Sequence, residues 1–398
     1  MPDILKGITV LDLSQNIAGP FCTQLLGDFG ADVVKVERPE AGDDTRSWTR
    51  DTWHGVSTAF LTVNRNKKSV CVDLGTGKGV EVIRRLAGKA QVFIHSVRQG
   101  SLEARGLGYE DLKPDNPGLV YCAISAFGAH GPRAADPGYD ALIQAYSGIM
   151  SVTGHPDRPP ARAGVSILDL GTGVWAFSGI LAALYRRKDT GQGANVTASL
   201  METGVSLMSV LLTQYMANGI VSSRCGDSTP FAAPYESFAT KDGAVLIAAF
   251  NDSLFRRTCR ALEIPGLVDD PRFNSLAKRV DAGNRVILHG LMEERTAQLT
   301  TAECVTRMRH AGAACSPINS VDAVYRDEQV NAMGMIRALP AAYIPEFKMV
   351  DTPVSIDGER AWLRQAPPRL GEHTAEVLGW AGYGADEITA LRGCKAVS

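Results

Sequence analysis

The sequence has almost no net charge and no pattern typical of a metal protein. Forty-one lysines and arginines stand against 43 aspartates and glutamates, a formal net charge of −2. No global field would therefore attract nucleic acid or an anionic membrane. The seven histidines form no H-E-x-x-H pair, and a metal site has little support without such a pair. We therefore expect no metal ion, no nucleic-acid partner and no membrane partner.

Cysteine pairs, long apolar runs and targeting signals are missing as well. The eight cysteines are scattered without a C-x-x-C pair, which is typical of free thiols in a reducing compartment. No run reaches the roughly 18 apolar residues of a membrane span. The opening residues MPDILKGITVLDL contain no basic segment followed by an apolar one. These absences predict a cytoplasmic protein.

What is present is a regular alternation of strand and helix patterns over the first third of the chain. Buried-strand runs alternate with helical patterns, which is typical of an α/β protein with a parallel sheet covered on both faces. The predicted strands are 8–13, 32–37, 69–74, 91–95 and 119–125. Ligands of such sheets bind at the carboxyl ends of the strands. The expected binding loops are therefore Ser14–Gly19, Glu37–Arg46 and His95–Gly100.

The segment 163–184 contains the most informative carboxylate. A short run, Gly164–Leu168, can form a strand, and Asp169 follows it. The apolar residues beyond Asp169 are spaced by 4, 3, 4 and 3, as on one face of a helix. The usual role of an aspartate at a helix start is to cap the helix. Gly171 and Gly173 destabilise a helix by about 1 kcal/mol each, so we expect something to approach the backbone closely there.

One glycine-rich turn resembles a phosphate-binding loop. Gly75-Thr-Gly-Lys-Gly lies between a predicted strand and a predicted helix, but it matches neither G-x-G-x-x-G nor G-x-x-x-x-G-K-[ST]. We therefore interpret this turn as a helix start.

Composition divides the chain into four segments. Residues 1–217 form the first part of a large domain, and the polar, Gly- and Pro-containing stretch 218–230 is a linker. Residues 231–325 contain a hairpin pattern that turns at Asp242-Gly243, followed by helical patterns. Residues 326–398 form a second linker and return to the large domain. This order predicts a small α+β domain inserted into the large one.

Several short motifs, in order and correctly spaced, resemble those of the family III CoA-transferases, the carnitine and bile-acid CoA-transferase family. They are Leu11-Asp-Leu-Ser, Ala18-Gly-Pro, Gly30-Ala-Asp-Val-Val-Lys-Val-Glu-Arg-Pro, Gly42-Asp-Asp-Thr-Arg, Asn64-Arg-Asn-Lys-Lys-Ser, Gly138-Tyr-Asp-Ala, Ser147-Gly, Asp169-Leu-Gly-Thr-Gly and Leu370-Gly-Glu-His-Thr. The resemblance covers nearly the whole chain. It implies a Rossmann-like large domain with a small inserted domain, and a ring-shaped subunit in an interlocked homodimer.

The resemblance also implies the activity. It predicts an enzyme that moves CoA from an acyl-CoA donor, such as succinyl-CoA, to a carboxylic acid acceptor, such as a dicarboxylate. Coenzyme A and acyl-CoA would be substrates, with no tightly bound cofactor. Asp169 matches the catalytic aspartate of the family, which forms covalent anhydride and thioester intermediates.

Further residues match binding positions of the family. The implied CoA contacts are Ile17, Ala18, Arg38, Val72, Ser96, Val97, Arg98 and Arg105. Tyr139 and Asp140 are implied at the substrate site. The sequence departs from the family where Ser96-Val97 replaces the frequent Asn-Phe and where Gln99 replaces a proline.

Two other functions agree with parts of the sequence. The α-methylacyl-CoA racemases of the same family carry a histidine in a Gly-His-Asp motif, where this chain has Tyr139. A phenol with a reference pKa of about 10 does not exchange protons near neutrality as an imidazole does. His130 is near in sequence, but we expect it in a surface loop. A non-catalytic acyl-CoA binding protein is the second alternative.

For the transferase, elementary chemistry predicts the state of the nucleophile. An aspartate with the reference pKa of about 3.9 is already ionised at neutral pH. Attack of Asp169 on a thioester gives an aspartyl–acyl anhydride and CoA thiolate, which then forms an Asp169–CoA thioester. We expect the N–H groups of the Gly171–Gly173 turn, or of another glycine loop, to stabilise the oxyanion.

Overall fold

The computed structural model describes residues 4–360 and 363–398. Its strands are, in chain order, β1 Thr9–Leu13, β2 Asp32–Glu37, β3 Thr52–Trp53, β4 Val56–Ser57, β5 Lys67–Cys71, β6 Val92–His95, β7 Val120–Ser125, β8 Ala194–Ser199, β9 Tyr235–Ala239, β10 Ala244–Ala248, β11 Ala314–Pro317, β12 Ile336–Ala338 and β13 Lys348–Val350.

The α-helices follow the same chain order. They are α1 Ala18–Asp28, α2 Thr58–Val63, α3 Gly77–Ala87, α4 Tyr109–Leu112, α5 Asp140–Tyr146, α6 Ile149–Val152, α7 Ile167–Thr190, α8 Leu200–Leu207, α9 Ser209–Asn218, α10 Asp252–Ala261, α11 Leu276–Arg279, α12 Ala282–Thr296, α13 Thr301–Ala311, α14 Val321–Arg326, α15 Glu328–Ala332, α16 Thr374–Ala381 and α17 Ala385–Gly393. Short 3₁₀ turns lie at Asp44–Ser47, Glu103–Arg105 and Pro265–Val268.

A six-stranded parallel sheet forms the centre of the first compact unit. Its strand order is β5-β2-β1-β6-β7-β8, with every neighbouring pair parallel. The predicted α/β class is confirmed. Because the connections all cross over to the next parallel strand, the carboxyl ends of the strands lie at one edge of the sheet. The loops after β1, β6 and β7 therefore meet there.

Alternation of side chains along the strands divides the core of this unit into two layers. On β1, Leu11 and Leu13 face a layer that includes Val82 of α3 and Leu378 of α16. Val10 faces the opposite layer, which is built largely from α1 and α7. Successive residues of a strand point to opposite faces, and burial of both faces explains why the strands are almost continuously apolar.

Helix α7 is long and apolar enough to cross a membrane by length and composition alone, with a mean hydropathy of 1.6 over its most apolar window. A helix that packs in a protein core passes the same test. Leu168, Ala176 and Ile180 of α7 are fully buried in the layer shared with α1. This packing accounts for the apolar residues on the buried side of the helix, while others, such as Trp175, are exposed.

The chain divides into two compact units. The first takes the described residues of Met1–Ile149, Ala163–Met216 and Glu328–Ser398, and the second takes Met150–Arg162 and Ala217–Asp327. The second unit has an antiparallel sheet of order β11-β10-β9, and the turn between β9 and β10 contains the predicted Asp242-Gly243. Phe238, Phe255 and Met292 lie in its separate apolar core.

Three predicted elements differ in the structure. Gly164–Leu168 is not a strand, because α7 already begins at Ile167. The sequence of Glu202–Met216 predicts one long helix, but the structure has two helices there, α8 and α9, separated at Met208. The strand predicted at 69–74 is β5, Lys67–Cys71, which begins two residues earlier and ends three residues earlier; the buried Lys67 pairs in register with Val33 of β2. The turn at Gly75 starts α3, with Thr76 capping the helix through Gly79 N–H, as predicted.

Candidate active site

A cavity of about 300 Å³ opens where the strands of the parallel sheet end. Its walls come from the loops that follow β1, β6 and β7, together with the starts of α7 and α8. The lining residues are Gln15, Asn16, Ile17, Ala18, Trp48, Ser96, Val97, Arg98, Gln99, Ile124, Ser125, Ala126, Ala134, Ala135, Asp136, Pro137, Gly138, Tyr139, Asp169 and Leu200. The cavity therefore lies at the edge of the sheet where the sequence predicted a ligand.

Asp169 lies on this cavity in the first turn of α7, and it does not cap that helix. Asp140, the first residue of α5, takes the capping role instead. One of its carboxylate oxygens accepts hydrogen bonds from the N–H groups of Leu168, at 2.8 Å, and Asp169, at 3.2 Å. The side-chain carboxylate of Asp169 accepts no hydrogen bond within the described part of the chain, so it is available to a ligand.

The protonation of Asp169 differs from the prediction. Burial, and then the negative charge of Asp140, raises the pKa of Asp169 from an ordinary value of 3.8 to about 7. Burial disfavours the charged form, and a nearby carboxylate disfavours it further. The expectation that Asp169 is almost fully ionised at neutral pH was therefore wrong for the ligand-free protein.

Gly171 and Gly173 serve helix packing. A Cβ atom on Gly173 would lie 2.8 Å from the carbonyl oxygen of Ala18, and one on Gly171 would lie 3.0 Å from Thr203 Cγ2. The predicted close approach to this backbone is thus made by the protein itself, chiefly by α1. Both N–H groups lie beyond the first turn of α7, where they bond within the helix. The expected oxyanion role of the Gly171–Gly173 turn is therefore wrong.

The start of α1 provides the open backbone donors that α7 lacks. Ile17 is the N-cap of α1, and its side chain makes no capping hydrogen bond. The N–H groups of Ala18 and Gly19 have no acceptor among the residues that the structure describes. Ile17 and Ala18 line the cavity with Asp169. An uncapped helix N-terminus has a partial positive charge that favours anionic groups.

The structure brings five of the predicted CoA-binding residues to this cavity, namely Ile17, Ala18, Ser96, Val97 and Arg98. Ser96 Oγ accepts the N–H of Gln15 at 2.9 Å and so ties the loop after β6 to the loop after β1. The guanidinium of Arg98 is exposed and has no hydrogen-bond or ion-pair partner among the described residues.

The other three predicted CoA-binding residues lie outside the cavity lining. Arg38 is exposed and pairs with the Asp44 carboxylate and the Gly42 carbonyl. Arg105 is exposed and donates to backbone carbonyls, including that of Ser101 at 2.7 Å. Val72 is 2% exposed in the core and forms a β-bridge with Val397. The structure therefore does not bring these three residues to the cavity lining.

The two predicted substrate-site residues have different environments. Tyr139 lines the cavity and is 64% exposed. Asp140 is buried, outside the lining, and bonded to the start of α7 and to Gln144 Nε2. His130, the only nearby histidine considered from the sequence, is exposed and does not line the cavity.

Sequence patterns missed several residues of the cavity. Leu200 comes from a distant segment and carries no motif. Residues 134–137 precede the Gly138-Tyr-Asp-Ala motif and lie far along the chain from the loop after β1. Only the position of a residue at the carboxyl end of a predicted strand, as for Ser125 at the end of β7, could have indicated the site. Within the described residues, no group of three or more histidines, cysteines and carboxylates could hold a metal ion.

Comparison with known proteins agrees with this geometry. Residues 5–374 match the model of CoA-transferase family III. The chain is 37% identical over 374 residues to the succinyl-CoA:glutarate CoA-transferase of Mus musculus, covering 94% of this chain and 85% of the relative. It is 36% identical to the succinate–glutarate CoA-transferase of Agrobacterium fabrum, covering 94% of each. A CAIB/BAIF family protein from Brucella suis superposes with a TM-score of 0.86 at 37% identity, covering 95% and 99%.

Proposed function

This chain belongs to CoA-transferase family III, and from that premise we propose that it transfers CoA from succinyl-CoA to a dicarboxylic acid such as glutarate, with Asp169 as the nucleophile. The observation that carries the proposal is the cavity at the carboxyl edge of the sheet, which contains Asp169 and five of the residues implied in CoA binding. The names of the relatives from Mus musculus and Agrobacterium fabrum support the substrate class.

The first half of the reaction moves CoA to the enzyme. The ionised carboxylate of Asp169 attacks the thioester carbonyl of the donor, and the carbon–sulfur bond breaks to give an aspartyl–acyl anhydride and CoA thiolate. The thiolate then attacks the aspartyl carbonyl, releases the donor carboxylate and leaves an Asp169–CoA thioester. A carboxylate is a weak nucleophile, so most of the acceleration must come from holding the thioester beside it.

The second half repeats these steps with the acceptor. The acceptor carboxylate attacks the Asp169–CoA carbonyl, which forms a second anhydride and again releases CoA thiolate. Attack of the thiolate on the acceptor carbonyl gives the new acyl-CoA and restores the Asp169 carboxylate. Every bond that is broken is replaced by one of the same kind, so the reaction needs no external energy source.

The start of α1 supplies the oxyanion donors in this proposal. Each attack places negative charge on a carbonyl oxygen, and backbone N–H groups fixed beforehand stabilise that charge. The N–H groups of Ala18 and Gly19 have no acceptor among the described residues, and Ala18 lines the cavity. At the start of α7, by contrast, Asp140 already accepts the N–H groups of Leu168 and Asp169. We therefore assign the oxyanion role to the α1 terminus.

Arg98 is the cation of the cavity lining that is open to a phosphate of CoA. Arginine binds phosphate oxygens through paired hydrogen bonds. The Arg98 guanidinium has no hydrogen-bond or ion-pair partner among the described residues, so binding a phosphate breaks no existing contact. Arg38 and Arg105 must each leave carbonyl or carboxylate partners to bind CoA. The buried side chain of Val72 supports the core beneath the site.

The experiment is a matrix of acyl-CoA donors and carboxylic acids, read by mass spectrometry of the acyl-CoA products. We expect succinyl-CoA and glutarate to give glutaryl-CoA and succinate. The isosteric Asp169→Asn variant should retain CoA binding and transfer at less than about one-thousandth of the wild-type rate. A full rate in Asp169→Asn would contradict the mechanism.

Other outcomes of the same experiment would indicate the alternatives. Binding of CoA without transfer to any acid would indicate a binding protein. Rapid incorporation of solvent deuterium at the α-carbon of 2-methylacyl-CoA would indicate a racemase. We expect neither, because Tyr139 replaces the histidine of the racemase motif and a phenol does not exchange protons near neutrality as an imidazole does.

The protein acts, in this proposal, as an interlocked homodimer of ring-shaped subunits in the cytoplasm. Large apolar side chains of α7 and α9 support the dimer, since Trp175 is 55% exposed, Val210 69% and Met216 75%. Exposed apolar patches of this kind mark interaction surfaces.

The eight cysteines are all free thiols, in keeping with a reducing compartment. Cell fractionation with immunodetection checks the location.

A further inference from the structure

Six charged side chains lie together beneath the loop that follows β1. Three are carboxylates and three are cations, and four of the six are no more than 1% exposed. They are Asp12, Lys35, Glu37, Asp43, Arg46 and Lys67. Because buried charges are costly unless they are paired and hydrogen-bonded, this arrangement requires close compensation. The charges of the cluster sum to zero.

Strand register explains why these charges meet. Asp12 of β1 pairs in register with Lys35 of β2, and Lys35 pairs with Ser69 of β5. Register partners lie side by side on the same face of a sheet. Glu37 lies two residues beyond Lys35 and so shares this face. Near the carboxyl edge of the sheet, polar and charged side chains thus replace the apolar ones.

Lys35 and Asp43 extend from this cluster to the cavity-lining loop. Lys35 Nζ donates to the carbonyl oxygen of Ser14 at 3.0 Å and to Asp43 Oδ2 at 2.7 Å. Asp43 Oδ1 accepts the N–H of Asn16 at 3.2 Å. The ion pair thus holds two backbone groups of the loop, two residues apart.

Asn16 needs this support because of its backbone conformation. Its φ is +66°, in the left-handed region that residues other than glycine adopt uncommonly. On the other side of the loop, the N–H of Gln15 is bonded to Ser96 Oγ. Three consecutive residues are therefore anchored immediately before Ile17 and the open N–H groups of α1.

We propose that Lys35 and Asp43 are positioning residues of the active site, which hold the Ser14–Ile17 loop so that the start of α1 stays in place beside Asp169. This role rests on the proposed CoA transfer at Asp169. Neither residue lines the cavity. Both act through the backbone of the loop, on the placement of the Ala18 and Gly19 N–H groups.

The charge state of Lys35 agrees with this role. Burial alone would lower the pKa of Lys35, but the carboxylates of Asp43 and Asp12 outweigh burial and raise it. Lys35 therefore stays a cation at neutral pH and keeps both hydrogen bonds. An apolar pair of the same volume could fill the space, but it could bond neither the Ser14 carbonyl nor the Asn16 N–H.

The chain offers a matched control in a second buried ion pair. Arg65 Nη2 lies 2.6 Å from Asp28 Oδ2, and the two side chains are 3% and 0% exposed. Asp28 is the last residue of the 11-residue α1, so it lies about 15 Å along the helix from Ala18. Arg65→Met and Lys35→Met each remove one buried cation, but only Lys35 contacts the loop.

The first measurement is single-turnover CoA transfer, with the rate constant normalised to folded active sites by titration. We expect Lys35→Met to lower the rate constant by about 100-fold, the effect of a displacement of about 1 Å in a reacting group. Arg65→Met should change it less than threefold. Asp43→Asn, which is isosteric, is the second variant and should lower it about tenfold or more. Loss of folding alone changes the number of active sites and leaves this rate constant unchanged.

Hydrogen exchange of the backbone gives a readout that does not depend on activity. In Lys35→Met and Asp43→Asn, the amides of residues 15 and 16 should exchange at least about tenfold faster than in the wild type, and in Arg65→Met they should not. Equal kinetic losses in the loop and control variants, or unchanged exchange at these amides, would overturn the proposal. Absence of transfer in the wild-type protein would contradict the proposed function instead, and exchange would still show whether the pair holds the loop.

Discussion

Asp169 combines two properties that follow from one position. In the first turn of α7, Asp169 lies on the cavity and is accessible to a ligand. It also lies close enough to Asp140 for the negative charge of that residue to raise its pKa. Burial and Asp140 raise the pKa of Asp169 to about 7. A catalytic group with a pKa near the working pH is typical of active sites, and it has a cost in the stability of the folded protein.

That cost predicts the effect of Asp169→Asn on stability. The folded-state pKa of about 7 is above the unfolded value of about 3.9. The contribution of Asp169 to the stability of the folded protein is therefore complete below pH 4, where the side chain is protonated, and it is lost as the pH rises through 7. At pH 8 the Asn variant should be more stable than the wild type by up to about 4 kcal/mol, at 1.36 kcal/mol per pKa unit. Denaturant unfolding at pH 4 and pH 8 checks this, and an equal difference at both would contradict it.

The same pKa predicts the pH dependence of catalysis. In the proposed mechanism only the ionised carboxylate of Asp169 attacks, so kcat/KM should rise with pH and level off above an apparent pKa near 7. Asp140→Asn keeps an oxygen that can cap α7 and removes the charge, so the midpoint should move to lower pH. It should remain above 3.8, since burial is the larger cause of the shift. Initial rates from pH 5 to 9 with both proteins check this, and coincident profiles would contradict the role of Asp140.

At the scale of elements, α1 and α7 contribute different groups to the site. The start of α7 contributes a side chain, with its backbone donors occupied by Asp140. The start of α1 contributes backbone donors and has no capping side chain. Close packing of the two helices, through Gly173 and the Ala18 carbonyl, keeps both helix starts on one cavity.

This packing predicts opposite effects for two glycine substitutions. A Cβ at residue 173 would lie 2.8 Å from the Ala18 carbonyl oxygen, whereas one at Gly290, inside α12, meets nothing within 4 Å. Gly173→Ala should destabilise the protein by about 1–3 kcal/mol through overpacking. Gly290→Ala should stabilise it by about 0.5–1 kcal/mol through helix propensity. Thermal unfolding of both variants checks this, and stabilisation by Gly173→Ala would contradict the close contact.

At the scale of the molecule, the exposed apolar side chains of α7 and α9 predict that the proposed homodimer is obligate. If the chains interlock, separation requires unfolding, so dilution should not yield folded monomers. Light scattering at decreasing concentration should show a constant mass near twice 42.6 kDa. Val210→Glu, on the exposed face of α9, should reduce the yield of folded dimer, whereas an active monomer would contradict this arrangement.

Local patterns were sufficient to predict the framework and the place of the site. Most strands of the sheet, the hairpin at Asp242-Gly243 and the helix that follows Asp169 were predicted within a few residues. This worked because periodicity and turn chemistry act over a few neighbouring positions. The binding loops after β1 and β6 followed from the α/β pattern alone. The importance of Asp169 came from the family motif that surrounds it.

Only the tertiary structure decided the surroundings of these residues. Asp140 caps α7 from 28 positions away, Gly173 meets the carbonyl of Ala18, and Lys35 and Lys67 lie in the core where a sequence pattern places charges on the surface. Each of these facts depends on which distant segments the fold brings into contact. The charge of Asp169 depends on burial and on a second carboxylate, and neither is a property of its neighbours in sequence. The sequence alone determined the elements and their order, and long-range packing determined the electrostatics of the site.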